Sequence, residues 1–235
     1  MTGLYHIGNQ NILVHSIYQW IHQYCVEYRS DGVPDFVVEI SPTDIDFERS
    51  RVTSNRKEAY LETLAVYRKI AEKMPSYDTV LMHGSAVALD GKAYLFTAPS
   101  GTGKSTHTRL WREVFGERAV MINDDKPLIR ITDSEVIVYG TPWNGKHHLG
   151  SNIAVPLRAI CILERDQTNH IHEISPQEAV PFLLHQIYHP IDSEAMAKTL
   201  LLIEELKTKV HFYHLGCNTE HEAAQIAYDG MKGEL

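Results

Sequence analysis

Cysteine is scarce in this chain: Cys25, Cys161 and Cys217 are the three among 235 residues. Their odd number and wide spacing exclude a disulfide framework and fit reduced thiols in a cytosol. Long apolar runs are missing, and none approaches the roughly 20 residues that span a bilayer. The opening residues, Met1-Thr-Gly-Leu-Tyr-His6, lack a basic stretch followed by an apolar core, so no secretory signal is read there. An excess of positive charge is absent too. The net charge is −8, which argues against a broad nucleic-acid surface. Internal repeats, low-complexity tracts and long linkers do not occur. The expectation is a cytoplasmic globular protein with neither membrane nor nucleic acid as a partner. Its composition, 43% hydrophobic and 22% charged, is ordinary for that class.

What is there is organised around a short glycine-rich stretch. Residues 98-APSGTGKST-106 follow an apolar run, Lys92–Thr97, and precede a helical pattern over Lys104–Phe115. Strand, glycine loop, Lys-Ser, helix is the layout of a phosphate-binding loop, or P-loop. Glycines let backbone N–H groups curl around a phosphate, and the helix N-terminus adds partial positive charge. Ser100, Gly101, Thr102, Gly103, Lys104, Ser105 and Thr106 are therefore the expected nucleotide-binding residues. Lys104 would reach the outer phosphates, and the Ser105 hydroxyl would ligate Mg²⁺. The pattern departs from the usual one at its first position, where Ala98 replaces glycine.

The run Thr79–Leu89 reads as one strand. Asp90-Gly91 then marks a hairpin into Lys92–Thr97. A P-loop fed by a hairpin is unlike the usual alternation of parallel strands and helices. The fold class expected is α/β with an α+β tendency, a mixed sheet carrying a hairpin-fed P-loop. Further strands are read at 119–122, 127–131, 135–139, 158–163 and 210–215. Helices are read at 176–188, 193–206 and 219–230. Upstream, strands at 11–16 and 36–40 and a helix at 57–74 form an α+β extension, residues 1–76. It packs on a nucleotide-binding core, residues 77–235. Trp20, Tyr24 and Tyr28 share helical spacing and are read as core packing, with an interface as the alternative.

Three more groups carry chemistry. Asn123-Asp-Asp-Lys-Pro127 sits at a strand end about 20 residues past the loop. A carboxylate there commonly holds Mg²⁺, and a second could take a proton from an incoming hydroxyl. His83 lies mid-strand in Leu81-Met-His-Gly-Ser85, where the hairpin would bring it beside the loop. Residues 140-GTPWNGKHHLG-150 form a glycine-punctuated loop whose Trp143, Asn144 and Lys146 are candidate substrate contacts. The pairs His170/His172 and His185/His189 form no convincing metal site, since no third ligand is evident.

The order His-Gly, hairpin, Ser-Gly-Thr-Gly-Lys-Ser-Thr, Asn-Asp-Asp resembles the C-terminal kinase domain of HPr kinase/phosphorylase. It is similar to the kinase motifs of ATP-dependent phosphoenolpyruvate carboxykinases as well. It also looks like the small HPr-kinase-like proteins of bacteria, some of which accompany peptide-maturation genes and phosphorylate a serine hydroxyl on a peptide. The likeness covers about Tyr77–Leu163. It implies ATP or another phosphoryl donor, Asp124 as proton acceptor, and Asp125 as Mg²⁺ ligand beside Ser105. His83 matches the family's His-Gly, and Thr106 would lie near the nucleoside. The regulatory domain of HPr kinase has no room here, and its later glycine-rich signature is not recognisable. HPr as acceptor and the reverse phosphorolysis are therefore not carried over.

The expected activity is Mg²⁺-dependent phosphoryl transfer from ATP to a serine-type hydroxyl on a peptide, protein or small molecule. Asp124, Lys104 and His83 are the expected catalytic residues. GTP or pyrophosphate as donor stays open, as does a homo-oligomer. Two rival readings are a nucleotide-binding partner protein in peptide maturation and a simple ATP or GTP hydrolase.

Overall fold

The computed structural model describes residues 1–233. Its elements are β1 (Thr2–Ile7), β2 (Gln10–His15), α1 (Trp20–Tyr24), β3 (Phe36–Glu39), α2 (Pro42–Arg51), α3 (Glu58–Lys73), β4 (Thr79–Leu81), β5 (Ser85–Leu89), β6 (Lys92–Thr97), α4 (Lys104–Phe115), β7 (Ala119–Asn123), β8 (Leu128–Ile131), β9 (Val136–Tyr139), β10 (Ala154–Arg165), β11 (His170–Ile174), α5 (Pro176–Leu184), α6 (Ser193–Lys209), β12 (His211–Cys217) and α7 (Glu222–Met231). The fold is mixed α/β. Among the described residues, no helix is long and apolar enough to cross a membrane.

Among the described residues the strands form two sheets. The small one has the order β1-β2-β3. Its hairpin turns through Gly8 and Asn9, both with positive φ, at 61° and 68°. The large sheet has nine strands, with the path β4-β8-β9-β10-β6-β5-β7 and with β12 and β11 added beside β10. The Asp90-Gly91 hairpin forms as expected: Leu89 pairs with Lys92, and φ is 51° and 76° at the two turn residues. Positive φ at both central positions is the turn whose twist suits a two-residue hairpin.

Pairing directions explain where chemistry can gather. β5 runs antiparallel to both β6 and β7, so β6 and β7 run the same way on either side of it. β10 is parallel to β6, and β12 is parallel to β10. The C-terminal ends of β6, β7, β10 and β12 thus share one edge with the start of β5. That edge of an α/β sheet is where ligands commonly bind.

Apolar side chains divide between the two faces of this sheet. One face packs Leu95, Ile122, Ile160 and Phe212 against α5 and α6, through Leu183, Leu202 and Leu206. The other packs Phe96, Met121, Cys161 and Leu215 against α4 and α7, through Trp111 and Ala224. A third cluster belongs to the N-terminal elements, with Tyr5, Ile12, Val66 and Ile70, and is completed by Leu81, Leu128 and Trp143 from further along the chain.

Three expectations need correction. Thr79–Leu89 is not one strand. β4 pairs with β8, whereas β5 pairs with β6 and β7, and the chain breaks between them at Met82-His83-Gly84. The helix after Ser175 ends at Leu184, not Tyr188, so His185 and His189 do not share a helical face. Ser175 does form the capping box, its Oγ accepting from the Glu178 N–H while the Glu178 carboxylate accepts from Ser175. Trp20, Tyr24 and Tyr28 are split by the end of α1 at Tyr24. Tyr28 is in the core, and Trp20 is 52% exposed.

Candidate functional site

The glycine loop leaves β6 at Thr97, turns, and enters α4 at Lys104. Gly101 and Gly103 have φ of 81° and 129°, conformations in which any side chain is strained, and a Cβ at either would project into open space. Thr102 closes the turn, its N–H and hydroxyl both donating to the Pro99 carbonyl, at 3.3 and 2.9 Å. Arg165, at the end of β10, lies on the other side, its guanidinium donating to the carbonyls of Gly101 and, at 2.9 Å, Thr102. No motif flagged Arg165 in the sequence.

Lys104 is buried, and its ammonium donates to the carbonyl of Ala98 at 2.8 Å. Burial lowers its pKa; the Asp125 charge opposes that, and Lys126 adds to it. A lysine folded back on its own loop, short of charge compensation, is placed to take an anion. Ser105 follows it and is half-buried.

The acidic pair sits across β5 from the loop. Asn123, fully buried at the end of β7, shapes the turn. Its Oδ1 accepts from the N–H groups of Asp125 and Lys126, and its Nδ2 donates to the Thr141 carbonyl and to Asn144 Oδ1. Asp124 is 4% exposed. One oxygen, Oδ1, accepts from the Gly145 N–H at 2.6 Å, and the other, Oδ2, is buried with no partner. Burial raises the Asp124 pKa, the Gly145 and Leu149 N–H groups pull it down, and the Asp125 charge pushes it up. A buried carboxylate with an orphaned oxygen and a raised pKa has the form of a proton acceptor.

His83 occupies the break between β4 and β5. Its Nε2 is 3.4 Å from Asp125 Oδ1, and its Nδ1 is 3.0 Å from Gln186 Oε1. Burial lowers its pKa, and the charges of Lys126 and Lys104 lower it further. The Gly84 N–H donates to the Asp125 carbonyl at 3.0 Å. His83, Lys104 and Asp125 thus interact, although 21 residues of sequence separate the first two. Ser105, one residue after Lys104, and Asp125 carry the oxygen donors expected of a metal site. Donors of that hard type are the kind Mg²⁺ takes, with one or two carboxylates and several waters.

The loop 140–150 divides its expected substrate residues. Trp143 is 6% exposed, and its indole N–H donates to the Thr63 carbonyl of α3 at 3.0 Å. Its ring packs against Tyr67 and Tyr24, with centroids 5.2 and 6.4 Å away. The expectation that Trp143 faces a substrate is corrected: its indole is a buried anchor that ties the loop to α3. Asn144 is likewise spent on Asn123. Lys146, His147 and His148 form the exposed tip.

Thr106 lines a cavity of about 360 Å³ at the start of α4, together with Asp166, Asn218 and Thr219. A second cavity, of about 890 Å³, adjoins Pro99–Thr102 and shares Thr102, Glu164 and Arg165 with the first. Among the described residues there is no cluster of three or more His, Cys, Asp or Glu that could hold a metal ion.

A family model, SynChlorMet cassette protein ScmC, matches residues 50–189. The chain belongs to the ScmC family. The matched span holds the glycine loop, the acidic pair, His83 and the loop 140–150. The family so named is ScmC and not that of HPr kinase/phosphorylase, whose motif order the sequence resembles. Among solved structures, the Hpr(Ser) kinase/phosphatase from Coxiella burnetii is similar at 13% identity, over 55% of this chain and 92% of that chain, with a TM-score of 0.30. A score that low carries no argument about fold or activity. Among curated proteins, none matches.

Proposed function

We propose that the chain is a Mg²⁺-dependent kinase that moves the terminal phosphoryl group of ATP to a serine-type hydroxyl. The observation that carries this reading is the buried, unpartnered Oδ2 of Asp124, next in sequence to a carboxylate whose charge reaches the loop lysine. A hydrolase needs only to orient water. A fixed carboxylate with a raised pKa suits the removal of a proton from an alcohol.

In the proposed step the acceptor oxygen bonds to the γ-phosphorus while its proton passes to Asp124. The bond from that phosphorus to the β,γ-bridging oxygen breaks, and the nucleoside diphosphate leaves with the electron pair. Lys104 exchanges the Ala98 carbonyl for phosphate oxygens. The N–H groups around Gly101 and Gly103 face the developing charge. Asp125 and Ser105 would hold Mg²⁺, which supplies charge neutralisation across the phosphates. His83 keeps Asp125 in place. Gly145 orients Asp124 through its N–H. Residues 77–235 form the kinase core in this reading, and α3, from residues 1–76, buttresses the loop that carries Gly145.

ATP binding followed by calorimetry, with phosphate release measured in the absence of any acceptor, tests this. The kinase reading expects Mg²⁺-dependent binding that Lys104→Ala abolishes, together with slow release. Fast release without acceptor would replace it with a hydrolase.

A further inference from the structure

The 890 Å³ cavity beside the glycine loop has no role in the reading so far. It lies on the face that packs α5 and α6, away from α4. We propose that it receives the peptide segment flanking the acceptor hydroxyl, holding one large apolar side chain and one cationic side chain. This inference deepens the kinase reading and rests on it.

Position is the first argument. The cavity is walled by Pro99, Ser100, Gly101 and Thr102, the first half of the loop. The 360 Å³ cavity is walled by Thr102, Gly103 and Thr106, and the two cavities meet at Thr102 and at Glu164 and Arg165 of β10, which line both. A triphosphate cradled by the loop with its nucleoside toward Thr106 fills the smaller cavity. The larger one then opens on the other end of the loop.

Chemistry is the second. Ile162, Ile174 and Phe182 make the floor apolar, and Glu164 and Glu178 bring two carboxylates to the rim. Glu164 is 68% exposed and stays beside His214, 3.1 Å from its Nε2. Glu178 is fixed by Ser175, whose hydrogen bonds hold its pKa down. Arg165 lines the same wall and keeps its charge while its guanidinium points to the loop carbonyls, so the rim carries two carboxylates against one guanidinium. Two carboxylates repel a polyphosphate and attract a cation.

Size and shape are the third. A volume of this order suits a drug-sized ligand and exceeds what a single small alcohol fills. One wall is β11, which among the described residues is hydrogen-bonded to β12 alone. Its other edge can pair with an extended chain while alternate side chains enter pockets.

The test is an array of serine-centred peptides in which each flanking position is varied. The full chain is applied without nucleotide, and its retention is read. A duplicate array is read for label from γ-labelled ATP with Mg²⁺. Retention is expected to favour peptides with an aromatic or branched apolar residue plus Lys or Arg by about tenfold. Glu178→Gln, at a side chain that lines this cavity and not the smaller one and keeps an acceptor for the Ser175 N–H, should weaken the preference for Lys and Arg. Its affinity for a fluorescent ATP analogue should stay as in the wild type. Phe182→Ala should weaken the apolar preference alone. Retention without preference, or a preference that Glu178→Gln leaves intact, overturns the inference. So does loss of the ATP analogue from both variants, which would put the nucleoside in this cavity. Selective retention with no label on any peptide keeps the cavity assignment and removes the kinase reading.

Discussion

The N–H of Gly145 lies 2.6 Å from Oδ1 of Asp124, so a loop 21 residues downstream sets the direction of the buried carboxylate. A Cβ on residue 145 would stand 3.1 Å from Asp124 Oδ2 and 3.3 Å from its Cγ. Gly145→Ala should therefore turn the carboxylate without unfolding the chain. The expected result is a fall in kcat of roughly ten- to a hundredfold, the usual cost of a small misplacement of a reacting group. Steady-state transfer rates check it, and an unchanged circular dichroism spectrum shows that the fold survives.

Lys104 offers a sharper split between activity and stability. Burial already disfavours its charged form, so removing that charge removes a cost as well as the 2.8 Å bond to Ala98. Lys104→Met should lower transfer by at least roughly a hundredfold, the scale set by loss of one strong stabiliser of transition-state charge. The thermal midpoint should move by only a few degrees. A large drop in midpoint with activity retained would make Lys104 a structural residue.

Trp143 links α3 to the loop that fixes Asp124. Trp143→Phe keeps the ring packing and loses the bond to the Thr63 carbonyl, a cost of about 1 kcal/mol. Trp143→Ala empties the space against Tyr67 and Tyr24 and should cost about 3–5 kcal/mol. Denaturant titration measures both. Transfer should fall more steeply than stability, because the same loop carries Gly145.

Much of the site was readable because it lies in consecutive residues. The bounds of α4 and the Asp90-Gly91 hairpin follow from local chemistry, and the structure has both. The break at His83 was not readable. Leu81, Met82 and Ala86 look like one apolar run, and only pairing to different strands interrupts it. The helix Pro42–Arg51 was missed because its surface is hydrophilic. Ser41 caps it with Asp44, and ion pairs from Arg68 to Asp44 and Glu48 dock it on α3. Strand β1 was missed although Gly8-Asn9 is a hairpin signal. Trp143 looked like a surface contact because aromatic content in a glycine loop does not tell which way the ring points. Arg165 and Gln186 reach the site from distant segments, and no spacing announces them.

His107 makes stability depend on pH. It is fully packed behind the loop, accepting from the Trp111 indole N–H at 3.0 Å, and burial lowers its pKa from 6.5 to about 3. Below pH 6.5 the unfolded chain takes up a proton that the folded chain refuses, so stability is lost as pH falls toward 3. The slope is roughly 1.4 kcal/mol per pH unit from this group. His22, also held neutral by burial, adds in the same direction. Unfolding free energies between pH 7 and 4.5 should fall less steeply in His107→Phe than in the wild type.

The most direct test of the central claim is transfer of label from γ-labelled ATP, with Mg²⁺, to a serine-bearing acceptor, by the wild type and by Asp124→Asn. The account predicts labelled acceptor with the wild type and, with Asp124→Asn, a loss of at least roughly a hundredfold while ATP still binds. Labelled acceptor formed equally well by Asp124→Asn would contradict it.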